Sequence, residues 1–397
     1  MATRTVPPAQ KKRLPPRGVA RRYLSRLLDQ PGLAPGALLP SERDLSSSVG
    51  VSRPTVRLVL EELSREGRVS RIQGRGWSVP PTGGKSLMNQ AVLLVTDLRD
   101  SDGGPSGMTS AVVDQVSRAA SEAALDTLAV DAQRLQGERL EQVLSQPPGG
   151  AIFAVESPTA PLVAEPIRRL IGAGVPVVAY GSSLVPEACD RVVSDHAAGT
   201  RDLVKLLAER GRRRVLRVWS KVPTYTERPY WLDRRDLGYE AGCREAGLEV
   251  LPALEFFQPM IDRLNEAEAF EAKVRLMMGY LYDHLRGADR PDAVMVNSDG
   301  VAFAAARALR ELGFDPHTDV PIVGYDNYFR QSPEGAMLPD FQPLATVDKG
   351  RRALGQAIVG LLGDRAAGRV EGPSAVTRSV APELIVNPFF PEIAALS

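Results

Sequence analysis

From about residue 90 onward, short β-branched or leucine-rich runs alternate with amphipathic helical stretches, and that alternation leaves few architectures open. The runs are Ala91–Thr96, Thr127–Asp131, Ala151–Val155, Val175–Tyr180, Arg191–Asp195, Val215–Val218, Ala293–Val296 and Pro321–Val323. Between them lie Met108–Ala124, Pro161–Ala173, Ala197–Glu209, Leu237–Ala246 and Asp299–Leu312, each long enough for a crossover helix. Strands that follow one another in parallel need such a crossover, so the pattern predicts an α/β fold of parallel sheets flanked by helices. About 300 residues is too many for one five-stranded unit, and two lobes are expected. Ligands in such sheets bind beyond the carboxyl ends of the strands or between lobes.

The first eighty residues follow a different pattern. Val19, Tyr23, Leu24, Leu27 and Leu28 recur at helical spacing and predict a helix over Arg17–Asp29. Pro31, Gly32, Pro35 and Gly36 break the chain. Ser41 restarts it as an N-cap, with Asp44 placed for a capping box, and Gly50 ends this short second helix. Ser52 caps a third helix, whose first turn tolerates Pro54. There Val56, Val59, Leu60 and Leu63 form a buried stripe, leaving Arg53, Thr55 and Arg57 on the other face. Gly67 closes the helix, and Arg68–Arg71 and Gly76–Pro80 read as two strands around a Gly74–Gly76 turn. Together these make a winged helix-turn-helix, whose short capped helix suits the major groove. Pro80, Pro81, Thr82, Gly83 and Gly84 then interrupt the chain. The expected organisation is a basic N-terminus over 1–16, the winged helix over 17–80, a linker over 81–89 and the body over 90–397.

Charge separates the same two parts. Residues 1–80 hold 15 Lys and Arg against 6 Asp and Glu, while the whole chain carries only +1, so the remainder is acidic. A basic head on a mildly acidic body fits nucleic-acid binding by the head alone. With 43% apolar and 24% charged residues the chain suits a globular protein. Neither an apolar leader nor a run of ~18 apolar residues is found, so no membrane partner and a cytoplasmic location are expected. Cys189 and Cys243 form no CxxC and have no nearby histidine, which argues against disulfide or zinc. His196, His284 and His317 are scattered and support no triad or metal site. No cofactor is expected. The glycines of DSDGGPSGM, after the first strand, match neither G-x-G-x-x-G nor G-x-x-x-x-G-K-[ST].

The stretch LLPSERDLSSSVGVSRPTVRLVLEELSREGRVSRIQGRGWSV resembles the GntR-type winged helix almost without a gap, over Arg17 to Val79. The PSER, GVSR-x-TVR and QGRG elements carry the likeness. It implies DNA contacts at Arg43, Ser52, Arg53, Thr55 and Arg57, with Gly74 and Arg75 at the wing tip. Arginines paired with guanine would discriminate between bases, whereas Ser52 and Thr55 suit phosphate contacts that position the helix. The plainer roles are a surface arginine paired with Glu42 or Asp44 for Arg43, and simply solvated arginines for Arg53 and Arg57.

The body resembles the LacI/GalR-type, periplasmic-binding-protein-like effector domain. VVSDHAAGTRDLVKLLAERGRRRVLRV, RRDLGYEAGCREAGL, PDAVMVNSDGVAFAAARALRELGF with DVPIVGYDN, and LPDFQPLATVDKGRRALGQAIVGLL carry that likeness, most clearly from Val192. The combination of head and body resembles arabinose-type repressors. By motif it implies effector binding at Arg235 and Asp299, a guanidinium and a carboxylate suited to hydroxyl-rich ligands such as sugars. Tyr180, Tyr230, Trp231, Phe341 and Asp326 are further candidates. Plainer alternatives are a helix N-cap for Asp299, a surface charge for Arg235, core packing for Tyr180 and an Asx turn for Asp326.

The expected function is that of a non-enzymatic transcription regulator, a repressor working as a homodimer on palindromic operator DNA and controlled by a small-molecule effector. GntR heads also occur on pyridoxal-phosphate-dependent aminotransferase-like bodies. Of the five body lysines, Lys221 after a strand is the one such a reading would rest on. Helical or chorismate-lyase-like bodies are a further alternative, which the repeated βα units disfavour.

Overall fold

The computed structural model describes residues 15–28, 33, 37–72, 76–79, 87–96, 107–155, 160–181, 186–221, 228–257, 266–370 and 374–388. The chain divides into two compact units, Met1–Lys85 and Ser86–Ser397.

The first unit is a trihelical head with a small wing. Helices α1 (Pro16–Leu28), α2 (Glu42–Val49) and α3 (Arg53–Arg65) precede strands β1 (Ser70–Ile72) and β2 (Gly76–Ser78), which pair antiparallel. The caps are those the sequence predicts: Ser41 Oγ accepts from the Asp44 amide, Ser52 Oγ from the Thr55 amide, and Gly50 is left-handed at φ 74°. Val56, Val59, Leu60 and Leu63 are fully buried. In α1 the register differs from expectation. Ala20 and Leu24 point into the core, while Val19 and Tyr23 lie on its half-exposed flank, because α1 meets α3 along a narrower stripe than the apolar pattern implies. The Gly74–Gly76 turn falls largely outside the described residues.

The second unit opens with a single turn, α4 (Leu87–Gln90), and two lobes follow. The first contains β3 (Val92–Thr96), α5 (Gly107–Glu122), β4 (Thr127–Asp131), α6 (Gly137–Ser145), β5 (Gly150–Ala154), α7 (Ala160–Gly172), β6 (Val177–Tyr180) and β7 (Asp190–Ser194). The second contains α8 (His196–Glu209), β8 (Val215–Lys221), α9 (Tyr230–Ala246), β9 (Leu254–Phe257), α10 (Glu266–His284), β10 (Ala293–Val296), α11 (Asp299–Glu311), β11 (Ile322–Val323) and β12 (Ala345–Asp348). Helix α12 (Arg351–Ala366) and β13 (Thr377–Val380) return to the first lobe, and β14 (Glu383–Val386) ends in the second.

Each lobe has a six-stranded sheet among the described residues, ordered β13-β7-β6-β5-β3-β4 and β14-β12-β11-β10-β8-β9. Every pairing is parallel except β12 with β14. Apolar layers cover both faces of each sheet, which explains why the central strands read as unbroken hydrophobic runs.

The chain thus crosses between lobes three times, after β7, after β12 and between β13 and β14. Hydrogen bonds stitch the crossings together: Ser194 Oγ donates to the Lys349 carbonyl at 3.1 Å, and the Asp195 amide to the Val380 carbonyl at 2.9 Å. In the first lobe, buried Asp190 accepts two 2.6 Å bonds from Arg365 and one from the Val376 amide, tying α12 to β7 and the start of β13. In the second, α8 and α9 cross so closely that a Cβ on Gly238 would lie 2.2 Å from the Ala197 carbonyl oxygen. Cys189 and Cys243 are buried free thiols. No helix among the described residues is long and apolar enough to cross a membrane.

Candidate effector site and nucleic-acid interface

At the carboxyl ends of β10, β11 and β12 the second lobe buries an unusual concentration of charge. Arg235, in the second turn of α9, faces inward and is only 2% exposed, so the surface-charge alternative fails. Its guanidinium lies 3.5 Å from the ring centre of Tyr325 and 4.6 Å from that of Trp231. Arg235 Nη1 donates to the Asn297 carbonyl at 2.5 Å, and Nη2 sits 3.5 Å from Asp326 Oδ1. The same oxygen is 3.1 Å from Lys349 Nζ, so two buried cations share one carboxylate. Burying these charges is tolerable only because they neutralise one another and stack on aromatic faces.

His196, at the start of α8, completes the cluster. It is fully enclosed against Tyr325, with ring centres 5.8 Å apart. Burial holds its pKa well below the ordinary histidine value, and Arg235, Lys349 and Arg234 add to the effect, so the imidazole is neutral. His196 Nδ1 and Arg235 Nε are buried and make no hydrogen bond among the described residues. Unsatisfied buried polar atoms beside a shared carboxylate call for an explanation, and room for a polar guest is one.

Asp299 and Asp326, both singled out by motif, have different surroundings. Asp299 is fully buried, and its carboxylate is consumed within the fold. Oδ1 accepts from Thr346 Oγ1 at 2.8 Å, and Oδ2 from the Tyr328 and Phe329 amides at 2.8 and 3.2 Å. Burial pushes its pKa up to about 7 against those hydrogen bonds, with the nearby Asp326 charge contributing. The cap of α11 is Ser298, one residue earlier than the N-cap alternative placed it. Asp326 instead stands at φ 89° and Asn327 at φ 49°, both left-handed, which thrusts the Asp326 carboxylate at Arg235 and Lys349. Asn327 Nδ2 donates to Asp348 Oδ2 at 2.9 Å, and Arg351 at the start of α12 donates to the Asn327 carbonyl and to Asp348. Burial opposes the Asp348 charge, yet these bonds hold its pKa below the ordinary carboxylate range.

The remaining body candidates separate. Trp231 and Tyr230 belong to the first turn of α9 rather than to a loop, and Trp231 covers Arg235. Phe341 packs edge-on against Phe303 in the core layer of α10 and α11. Tyr180 is buried in the layer between the first sheet, α5 and α12, the core position that had been its plainer alternative. Sequence reasoning missed His196 and Lys349 as members of the cluster. The signal was their place, each within two residues of a strand's carboxyl end.

On the head, Ser52 caps α3, and its hydroxyl lies 2.8 Å from that of Thr55. The guanidinium groups of Arg43 and Arg53 are exposed and form no ion pair among the described residues. Arg57 is more than half exposed yet tied down: Nε lies 3.2 and 3.1 Å from the two Glu42 oxygens, and Nη2 lies 2.7 Å from Oε2. Trp77 Nε1 donates to the same carboxylate at 3.1 Å. Arg53, Pro54, Arg57, Leu58 and Glu61 line a shallow groove along the outer face of α3. Gly74 and Arg75 lie outside the described residues.

Residues 17–79 match the gntR family of bacterial regulatory proteins, and residues 204–386 match the periplasmic binding protein-like domain. The chain joins a gntR-type head to a periplasmic-binding-protein-like body. The fatty acid metabolism regulator protein of Enterobacter sp. (strain 638) is 40% identical over 60 residues, 15% of this chain and 25% of that protein. The chain therefore spans about a quarter of the length of that curated relative. Among solved structures, a transcriptional regulator CelR–cellobiose complex superposes with a TM-score of 0.55 at 22% identity, covering 88% of this chain and 99% of that one. A periplasmic binding protein/LacI transcriptional regulator from Alkaliphilus metalliredigens QYMF, complexed with D-xylulofuranose, gives a TM-score of 0.51 at 20% identity, covering 74% and 97%. Nothing in these matches supports the aminotransferase-like alternative, and Lys221, on which it rested, is paired with Glu255 at the edge of the second sheet.

Proposed function

We propose that this protein is a transcription regulator, a repressor that binds operator DNA as a homodimer through its gntR-type head and is controlled by a sugar. The sugar would be held against Arg235, Asp326, Lys349, His196 and Trp231. The observation that carries this reading is the buried two-cation, one-carboxylate cluster at the strand ends, beside a neutral histidine with an unused ring nitrogen. A shared carboxylate accepts from two adjacent hydroxyls, a guanidinium donates in a fixed plane, and an indole face covers the apolar side of a pyranose or furanose ring. The sugar-bound states of the two similar structures support the ligand class. The effector would alter DNA affinity only through unequal affinity for two arrangements of the body, and two lobes joined by three crossings suit such a change.

The test is a thermal-shift screen of the full chain against mono- and disaccharides, sugar acids and sugar phosphates. At ~100 times its dissociation constant a ligand stabilises the fold by ~2.7 kcal/mol. A sugar hit abolished by Asp326→Asn and by His196→Ala supports the site. A hit that survives both substitutions removes the site, and silence across the panel removes the ligand class.

A further inference from the structure

We infer that Glu42 is a positioning residue for DNA recognition: it grips one edge of the Arg57 guanidinium and leaves the opposite edge fixed for a base pair, with Trp77 of the wing holding Glu42 in place. This rests on the reading that the head binds DNA through α3.

A carboxylate on the reading side of a basic head is at first sight a liability, because it faces the phosphates that the arginines should meet. Here it is fully engaged. Glu42 begins α2, Arg57 lies in the second turn of α3, and Trp77 is the middle residue of β2, so one carboxylate joins three elements. Its side chain is only 18% exposed, against 57% for Arg57. Glu42 Oε1 accepts from Trp77 Nε1, and both oxygens accept from Arg57. The Arg57 bond holds the Glu42 carboxyl below its ordinary range, so it stays ionised beside DNA.

The geometry determines what remains free. A guanidinium has five N–H donors, and Glu42 takes the Nε/Nη2 edge. The Nη1/Nη2 end stays unused, a planar pair of donors with the spacing of two adjacent acceptors on a guanine edge. An unsupported arginine would have to be ordered at the moment of binding, whereas this one is already held. Trp77 is nearly buried, and Arg71 stacks over its ring at 5.9 Å, so the base of the wing sets the position of Glu42.

The test begins by selecting binding duplexes from a random-sequence pool with the full wild-type chain. Affinities of wild type, Arg57→Ala, Arg57→Lys, Glu42→Gln and Trp77→Phe are then measured against every single base-pair change in the selected duplex. Arg57→Ala is expected to abolish discrimination at one base pair per half-site. Glu42→Gln should lower discrimination at that same base pair by about tenfold, with the other positions unchanged. Arg57→Lys, which keeps the charge but not the two-edged plane, should match it, and Glu42→Gln combined with Arg57→Ala should lose nothing more than Arg57→Ala. Trp77→Phe should give a smaller loss at the same position. Full discrimination in Glu42→Gln overturns the inference while leaving DNA binding intact. So does a loss spread evenly over all positions, which marks a purely structural ion pair. If wild type enriches no sequence, the DNA-binding reading falls, and this inference with it.

Discussion

At the scale of single residues, the body separates two aspartates that the motifs could not. Asp299 has both carboxyl oxygens engaged by Thr346, Tyr328 and Phe329, so its work is to hold the 324–329 turn against α11. Its carboxyl titrates at about 7 when folded against ~3.9 when unfolded. The folded protein therefore binds the extra proton between those values. The resulting stability is complete below pH ~4 and is lost as pH rises through 7, with a slope of up to ~1.4 kcal/mol per pH unit. Asp299→Asn keeps the hydrogen bonds, since the Thr346 hydroxyl can accept from the new amide. Urea unfolding at pH 5 and pH 8 should show that this variant has lost much of the wild-type difference. Asp326 lacks such support from backbone amides. Arg235→Ala leaves its charge with Lys349 alone and removes two aromatic stacks, so unfolding free energy should fall by ~3 kcal/mol even without ligand.

At the scale of elements, the clearest dependence is the α8–α9 crossing. It places His196 and Arg235 on facing helices, and it exists because Gly238 and Gly242 present no side chain to α8. Gly238→Ala would set a methyl group against the Ala197 carbonyl, and the helices must separate. Chemical denaturation should report a loss of ~2 kcal/mol or more, together with weakened effector binding although no site residue has changed. In the head, Ser52→Ala removes the cap of α3 and should cost ~1 kcal/mol of stability.

The same elements show what the sequence could reveal. The caps of α2 and α3 were legible because Ser41, Ser52 and Gly50 act through neighbours three or four residues away. The strand Thr127–Asp131 was legible from its composition. β9, β13 and β14 were not, because they are four-residue edge strands whose half-exposed residues mix polar and apolar types. Helix α10 carries buried Phe270, Val274, Met277 and Leu281 at helical spacing, a signal present in the sequence and passed over. The site was legible only as motifs. Arg235 lies between Arg234 and Asp236, and nothing local says that it is the one to be buried against Tyr325 and Asp326. Nor does anything in GYDN announce two successive left-handed residues at Asp326 and Asn327.

At the scale of the whole body, the three crossings behave as one joint. Gly350 sits in the second, left-handed at φ 73°, where a Cβ would lie 2.8 Å from the Ala381 carbonyl of the third. Gly350→Ala therefore strains two crossings at once. It should lower the unfolding midpoint of both lobes together in a single transition, and small-angle scattering should show a smaller effector-induced change in radius of gyration than in wild type. The segment from Asp326 to Arg351, which includes β12, links the Arg235–Asp326–Lys349 cluster to this joint, because Asn327 and Asp348 hold the first residue of α12.

The order of strands also has a consequence during synthesis. β13 closes the edge of the first sheet and β14 that of the second, yet among the described residues they come last in chain order. A nascent chain emerging from the ribosome can form the head early, but each lobe waits, one edge uncovered, for the stretch around residues 377–386. A premature stop codon just ahead of residue 377 would therefore leave two unfinished sheets rather than one, exposed to the aggregation and proteolysis that unpaired edges invite.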